Sequence, residues 1–484
     1  MHIKFLNVVG DDFSAMDIGI THLATYINER TNARHRATIT DFTFHKKNWK
    51  EHLHESYKKD KPDIIGISTN TMYMQFVRPV MTEIKKNYCT PIILGGAQAS
   101  IHPKETLSIP EADAVCIGDG EFAITKFLDA YSAGKSVKGI DGIWAKEACG
   151  YVVNPGGCFI ENIDQFPYPD WDLWEDLERH FYFIGMLYIQ GSRGCPYKCT
   201  YCDAHGIKEA VGGKYFRLRD PVAFAQEIHF QWNKYKDRKT PPRLAQLFDP
   251  VFTFDKKWLE KFCLEYKSLG MADKFRYSAF SRIDNLDEEK IRLLSDSGCA
   301  LLRVGVESGN EFIRNEVFKK KITNEKVREI FHLCKKHNIK HTAFYILGGP
   351  GETCKTISET IRFAVELDAA RSAFFIYKPF TAEGLKQIHE HGGQIDPVLW
   401  SAADNITFGA VVRLKDLSPK QVEWYQKKAY FLTFSRRLLR MIGRLWLKYF
   451  LRLAIYLARG IYYGLDVKYL LIYYHIYSYD NVDK

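Results

Sequence analysis

Three cysteines on one short loop are the residues of this chain best suited to chemistry. Cys195, Cys199 and Cys202 stand at C-x-x-x-C-x-x-C spacing within Gly191-Ser192-Arg193-Gly194-Cys195-Pro196-Tyr197-Lys198-Cys199-Thr200-Tyr201-Cys202, just after an apolar run, 182–189, that reads as a strand. Three thiolates this close in sequence can hold three irons of a four-iron, four-sulfur cluster and leave the fourth iron open to a ligand. Zinc competes for the same donors, since a structural site of three cysteines and one histidine is common and His205 is near. A zinc module is normally closed by a second ligand pair, however, and none follows. An odd number of thiols cannot pair off as disulfides.

The spacing, with the aromatic Tyr201 directly before the third cysteine, resembles the signature of the radical S-adenosylmethionine (SAM) enzymes. The resemblance implies that Cys195, Cys199 and Cys202 bind a 4Fe-4S cluster and that its open iron takes the amino and carboxylate groups of SAM. One electron, from a donor such as flavodoxin or ferredoxin, would then give methionine and a 5'-deoxyadenosyl radical. Residues 182–385 support a matching fold, with strands expected at 245–249, 275–280, 301–306 and 341–347 and helices at 221–235, 256–269, 287–296 and 324–337. Such alternation indicates a partial (β/α) barrel whose site lies at the strand carboxyl ends.

Those ends carry the remaining candidates. Asp249 closes the second strand, where similar enzymes often have two acids and this chain has Pro250 next. Ser281 and Arg282 follow the third, in a position that by resemblance suits the SAM carboxylate or methionyl part. Gly305-Val306-Glu307-Ser308-Gly309 follows the fourth and resembles the ribose-contacting motif. A carboxylate there can accept two sugar hydroxyls, which makes Glu307 the foremost candidate outside the cysteines. Gly348-Gly349-Pro350-Gly351-Glu352-Thr353 resembles the glycine-rich turn beside the adenine. Tyr201, Asp249, Ser281, Arg282, Glu307, Ser308, Gly348 and Gly351 are thus the expected SAM and cluster environment. Lys378-Pro379-Phe380-Thr381 departs from the usual turn at the barrel mouth, so no substrate residue is assigned there.

Residues 1–140 alternate short apolar strands (2–9, 35–42, 63–69, 91–96, 114–118) with helices, the pattern of a doubly wound, Rossmann-like α/β domain with a parallel sheet. Ligands of such sheets lie at the carboxyl ends of the strands. Small or hydroxylated residues gather there: the stretch 11–19, then Ser68, Thr69, Gly95, Gly96, Gly118 and Gly120, with Glu121. The domain resembles the cobalamin-binding module that precedes many radical SAM domains, and the resemblance implies that these residues receive cobalamin. The D-x-H-x-x-G motif is absent, Asp41 and His45 standing at another spacing, so cobalamin would bind without a protein histidine on its lower face. The bland alternative is a degenerate nucleotide-type domain that holds nothing. Residues 141–181, with clustered proline and glycine, read as a linker.

The chain has 484 residues, 46% of them hydrophobic, eleven cysteines and a net charge of +10. Its amino-terminal residues run straight into a strand with no secretory leader, and the thiols suit a reducing, cytoplasmic setting. Residues 386–484 are expected to be helical, opening on a capping box at Ser418 and Gln421. Arg437, Arg440, Arg444, Lys448 and Arg452 line one face against Leu438, Ile442, Trp446, Phe450 and Ile455. Such a helix either lies peripherally on the inner membrane surface or packs on the barrel with a solvated basic side. No uncharged run reaches about 18 residues, which disfavours a spanning helix. Interleaved aliphatics and the lack of an RNA-binding module argue against nucleic acid. Together, the resemblances imply methylation of an unactivated carbon in a hydrophobic, lipid-like or natural-product small molecule. Cyclisation or oxidation without methyl transfer is an alternative, and a non-catalytic cobalamin or zinc protein is another.

Overall fold

The computed structural model describes residues 1–9, 16–402, 407–441, 446–462 and 467. The chain forms two compact units, one built chiefly of Met1–His180 with Asp203–Arg217, the other of Phe181–Cys202 with Leu218–Gly460.

In the first unit seven strands follow the order β2-β1-β3-β4-β5-β6-β7: β1 (His2–Asn7), β2 (Arg36–Asp41), β3 (Ile64–Ser68), β4 (Ile92–Gly95), β5 (Ala114–Cys116), β6 (Ile143–Glu147) and β7 (Gly150–Val152). The first five are parallel, and β1 is buried at every position because helices cover both faces of the sheet. The first helix, Ile18–Arg30, starts where the Asp17 carboxylate accepts the amides of Gly19 (2.7 Å) and Ile20 (3.0 Å). Here the structure departs from the expected linker, since β6 and β7 form an antiparallel hairpin that extends the sheet from β5. Five and three residues, set between glycine and proline turns, are too short for their period to stand out in sequence.

Residues 203–217 also count with this unit, although they follow the third cysteine. Their helix, Ala204–Ala210, sets Gly206 against Ile101, and beyond it Val211 packs on Gly118. Arg217 pairs with Asp119, and Phe159 donates to the Gly212 carbonyl at 3.0 Å.

The second unit is a six-stranded parallel sheet in simple sequential order, an open barrel wall: β8 (Met186–Ile189), β9 (Leu244–Leu247), β10 (Tyr277–Ser281), β11 (Cys299–Glu307), β12 (Lys340–Leu347) and β13 (Arg371–Ile376). The expected first strand, 182–189, is split, for the helix Leu177–Phe183 ends within it and Gly185, at φ 69°, turns the chain into β8. Strand β13 lies beyond the expected set. Its connection is short because the helix Cys354–Leu367 ends at Asp368, left-handed at φ 48°, and re-enters the sheet three residues later. Each of the main crossover helices begins at a side chain that accepts its first free amides: Asp220, Asp255, Asp287, Thr323 and Thr353. These caps fix where each loop that leaves a strand's carboxyl end gives way to its helix.

Helices Pro419–Met441 and Trp446–Tyr462 follow, the first opened by the expected box, in which the Ser418 amide donates to Gln421 Oε1 at 2.9 Å. The side chains of Arg437, Arg440, Arg444, Lys448 and Arg452, and of Leu438, Ile442, Trp446 and Phe450, lie outside the described residues, as do residues 11–15 of the stretch 11–19. Among the described residues no helix is long and apolar enough to cross a membrane.

Candidate active site

The cysteine loop leaves β8 and turns at Gly194, whose φ of 81° suits glycine. Asp249, just past β9, braces this loop: it accepts the Ser192 hydroxyl at 2.5 Å and the Gly191 amide at 3.3 Å. Burial pushes its carboxyl up to about 6, against the pull of those bonds. In this structure Asp249 supports the backbone that leads to Cys195. Further along, Thr200 is pinned twice, its hydroxyl donating to the Val317 carbonyl (2.8 Å) and its carbonyl accepting from Thr381 (2.7 Å). Thr381 also caps the helix Ala382–Glu390, so the unfamiliar turn after β13 serves the cysteine loop.

Cys199 is buried and Cys195 and Cys202 are half-buried. Among the described residues no three cysteine, histidine or carboxylate groups converge as the ligands of one ion would, and His205 pairs with Glu209 at 3.2 Å. Three soft thiolates spread along one loop fit three corners of an iron–sulfur cubane better than a tetrahedral ion.

Arg282 is expected to contact the SAM carboxylate or methionyl part. Its Nη1 donates to Cys199 Sγ at 3.0 Å, while Nε and Nη2 grip both oxygens of Asp284 at 3.0 Å each. Nη2 also reaches the Lys320 carbonyl at 2.9 Å, and the guanidinium lies 3.8 Å above the Tyr197 ring. Burial alone would weaken its charge, yet the Asp284 bond and the Cys199 sulfur outweigh that and hold it more firmly cationic than usual. A fixed cation thus stands beside a sulfur that would ligate iron.

Glu307 ends β11 at φ 62°, a left-handed conformation that costs a non-glycine residue about 1–3 kcal/mol and persists only where its surroundings enforce it. A bulge brings it there: Gly305 pairs with Phe344 and Glu307 with Tyr345, so Val306 is one residue too many and Glu307 is re-aimed. Its carboxylate folds back over Gly305, where a Cβ would stand 1.9 Å from Oε1. Oε1 accepts from Tyr201 Oη at 2.9 Å and from Lys320 Nζ at 2.5 Å. Burial first, and then the Glu307 charge, push the Tyr201 phenol far up, so it remains a donor. The residue before the third cysteine thus touches the foremost SAM candidate. Sequence reasoning missed Lys320, because the run Lys319-Lys320-Lys321 reads as solvated charge, whereas Lys320 is only 4% exposed.

Other candidates fall away from this group. Ser308 is fully buried against Thr360 (3.0 Å), and Ser281 bonds Thr253 (2.5 Å). In the glycine turn, Gly348 at φ 81° and Gly351 at φ 74° have the freedom expected of them, and the amides of Gly348 (2.6 Å) and Gly349 (3.0 Å) both donate to Glu352. Burial pushes the Glu352 carboxyl up to about 8 despite those two bonds.

In the first unit, Ser68 and Gly95 are register partners at the ends of β3 and β4. The Thr69 amide donates to the Gly95 carbonyl at 3.1 Å, and Gly96, at φ 82°, lies so close that a Cβ would be 2.7 Å from the Thr69 carbonyl. A Cβ on Gly95 would meet nothing within 4 Å. This open, half-exposed edge fits a large flat ligand such as cobalamin, and Ser68, Thr69, Gly95 and Gly96 are the residues that would line it. Gly118 and Gly120 do not share that openness, for a Cβ there would meet Val211 and Leu23, and Glu121 is buried. His45 bonds Asp176 at 2.9 Å and stacks on His52, while Asp41 is taken by His180 at 2.8 Å.

Residues 189–364 match the model of the radical SAM superfamily, and residues 8–128 that of the B12 binding domain. An uncharacterized methyltransferase of Pyrococcus horikoshii is 26% identical over 87% of this chain and 88% of its own length. An anaerobic magnesium-protoporphyrin IX monomethyl ester cyclase of Cereibacter sphaeroides is 24% identical over 81% of this chain and 64% of its own. The fold is shared with the radical SAM methyltransferase TsrM of Kitasatospora setae, solved with tryptophan and a SAM analogue: TM-score 0.68, 18% identity, 90% of this chain and 89% of that one.

Proposed function

Because the chain is a radical SAM enzyme that also carries a B12 binding domain, we propose that it methylates an unactivated carbon of a hydrophobic or natural-product small molecule. When bound, the cluster, SAM and cobalamin supply one-electron cleavage of a sulfonium and a carrier for a methyl group. The chain's own residues do the rest. Cys195, Cys199 and Cys202 would hold three irons, and Arg282 would keep a positive charge beside the Cys199 sulfur. Glu307, held by Tyr201 and Lys320, would accept the ribose hydroxyls, and Asp249 would keep the loop rigid. The observation that supports this most is the Glu307 carboxylate bonded at 2.9 Å to the tyrosine of the cysteine loop, in a chain that also offers an open edge at Gly95.

Anaerobically reconstituted protein, given cobalamin, reductant and SAM, should form both 5'-deoxyadenosine and S-adenosylhomocysteine. Likeness to the cyclase favours a second reading, ring closure without methyl transfer; 5'-deoxyadenosine without S-adenosylhomocysteine would exclude methyl transfer and leave that reading standing. A small flavin or iron–sulfur protein of the cytoplasm would donate the electron.

Contact with an anionic membrane surface is supported by the helix Pro419–Met441, where Trp424 (55%) and Phe431 (69%) are exposed and Lys428 lies 5.0 Å from the Trp424 ring centre. Equal sedimentation with anionic liposomes of the native chain and a Trp424→Ser, Phe431→Ser variant would remove that support.

A further inference from the structure

We infer that Lys320 is a positioning residue for SAM, holding the Glu307 carboxylate and the Arg282 guanidinium in one fixed arrangement. The inference rests on the reading of Glu307 as the ribose-binding carboxylate.

Lys320 uses three of its groups for this. Its ammonium donates to Glu307 Oε1 at 2.5 Å and lies 3.4 Å from Tyr201 Oη. Its carbonyl accepts from Arg282 Nη2 at 2.9 Å, the same guanidinium whose Nη1 bonds Cys199 Sγ. Its amide donates to the Arg314 carbonyl at 3.0 Å, and Arg314 is itself fully buried. The site loops after β8, β10 and β11 therefore meet on one residue.

The backbone around it is strained. Lys319 (φ 53°) and Lys321 (φ 55°) both adopt the left-handed conformation without being glycine, and Glu307 (φ 62°) does so across the ion pair. Such conformations persist only where the surroundings over-determine them, and they gather at functional sites. A simple counter-ion for a buried carboxylate would need only the ammonium, and a buried ion pair alone adds little net stability. Here the peptide groups of the same residue are committed as well.

The consequence is pre-organisation. With two donors on Oε1, and Gly305 leaving room beneath it because it has no Cβ, the carboxylate is oriented before a ligand arrives. Binding then does not have to pay for ordering it.

The test uses anaerobically reconstituted full-length protein, with SAM as the probe in equilibrium binding and the electron paramagnetic resonance signal of the reduced cluster as a second readout. Lys320→Met should keep its iron content and lose SAM affinity by about ten- to hundredfold, the range of one hydrogen bond to a charged group. The SAM-induced change in the cluster signal should shift to correspondingly higher SAM concentration. Glu307→Gln should lose as much, and the double variant no more than the worse single, since the two act as one unit. SAM affinity within twofold of native in Lys320→Met, while Glu307→Gln is weak, overturns the positioning role and leaves the Glu307 reading standing. Native affinity in Glu307→Gln overturns that reading itself. Should Lys320→Met fail to fold, Lys320→Gln, which keeps a donor without the charge, must show a loss of at least about threefold; native affinity there overturns the inference.

Discussion

The edge around Gly95 and the pocket around Glu307 are built on opposite principles. Around Glu307 nearly every polar group is already committed: Cys199 to Arg282, Arg282 to Asp284 and Lys320, Lys320 to Glu307, Glu307 to Tyr201. A methyl group on Gly305 would run into the Glu307 carboxylate and the Lys320 ammonium. Around Gly95 the strand ends offer backbone, small side chains and open volume. The difference teaches that fixed charges placed in advance suit a small charged ligand, whereas clearance suits a large flat one.

Three experiments can break or sharpen this contrast. The largest effect belongs to the cysteines: alanine at Cys195, Cys199 or Cys202 should abolish iron binding and SAM cleavage and leave cobalamin retention intact. Iron assay, 5'-deoxyadenosine formation and corrinoid absorbance after gel filtration report the three quantities, and loss of corrinoid would show that the two sites are not independent.

Next come the glycines, each expected to fail in its own way. Gly305→Ala forces a methyl group into the Glu307 carboxylate and should lower both SAM affinity and stability, the latter by about 1–3 kcal/mol. Gly96→Ala, at φ 82° and 2.7 Å from the Thr69 carbonyl, should destabilise by about 1–2 kcal/mol. Gly95→Ala has room for its methyl group, so folding should change by less than about 0.5 kcal/mol while cobalamin retention falls. Denaturant titrations beside corrinoid retention separate these outcomes, and a Gly95→Ala protein that unfolds easily yet keeps cobalamin would erase the contrast.

The smallest effect concerns the glycine turn after β12, whose amides are closed onto Glu352. Its carboxyl, raised to about 8 from an ordinary value of 4.5, stays protonated in the folded state where the unfolded chain ionises. The stability it contributes is complete below pH about 4.5 and is lost as pH rises through about 8, with a slope of at most about 1.4 kcal/mol per pH unit. Glu352→Gln keeps an acceptor for Gly348 and Gly349 and cannot ionise, so its denaturant midpoint should be flatter between about pH 5 and 9. An unchanged slope would assign the alkaline loss to another group.

The sheets were legible because most of their strands are short runs rich in apolar and β-branched residues, separated by helices of ordinary length. The β6–β7 hairpin was not, since pairing with β5 rather than local preference makes those few residues a strand. The cysteines, Glu307 and the glycine turn stood out by residue type and spacing. Arg282 was visible but its direction was not, for only the fold brings Cys199, 83 residues away in sequence, to its guanidinium. Lys320 carried no signal at all: its neighbours are lysines of the same composition, and three-dimensional register alone decides which of them is buried.

The placement of residues 203–217 with the first unit also bears on how the protein is made. Gly118 and Asp119 are not covered until Val211 and Arg217 have emerged from the ribosome, behind all three cysteines. The amino-terminal sheet therefore cannot finish folding first and then wait. Ending translation at residue 181, where a linker seemed to stand, would give a product with one flank uncovered, and a barrel expressed from residue 182 would carry a helix with nowhere to pack.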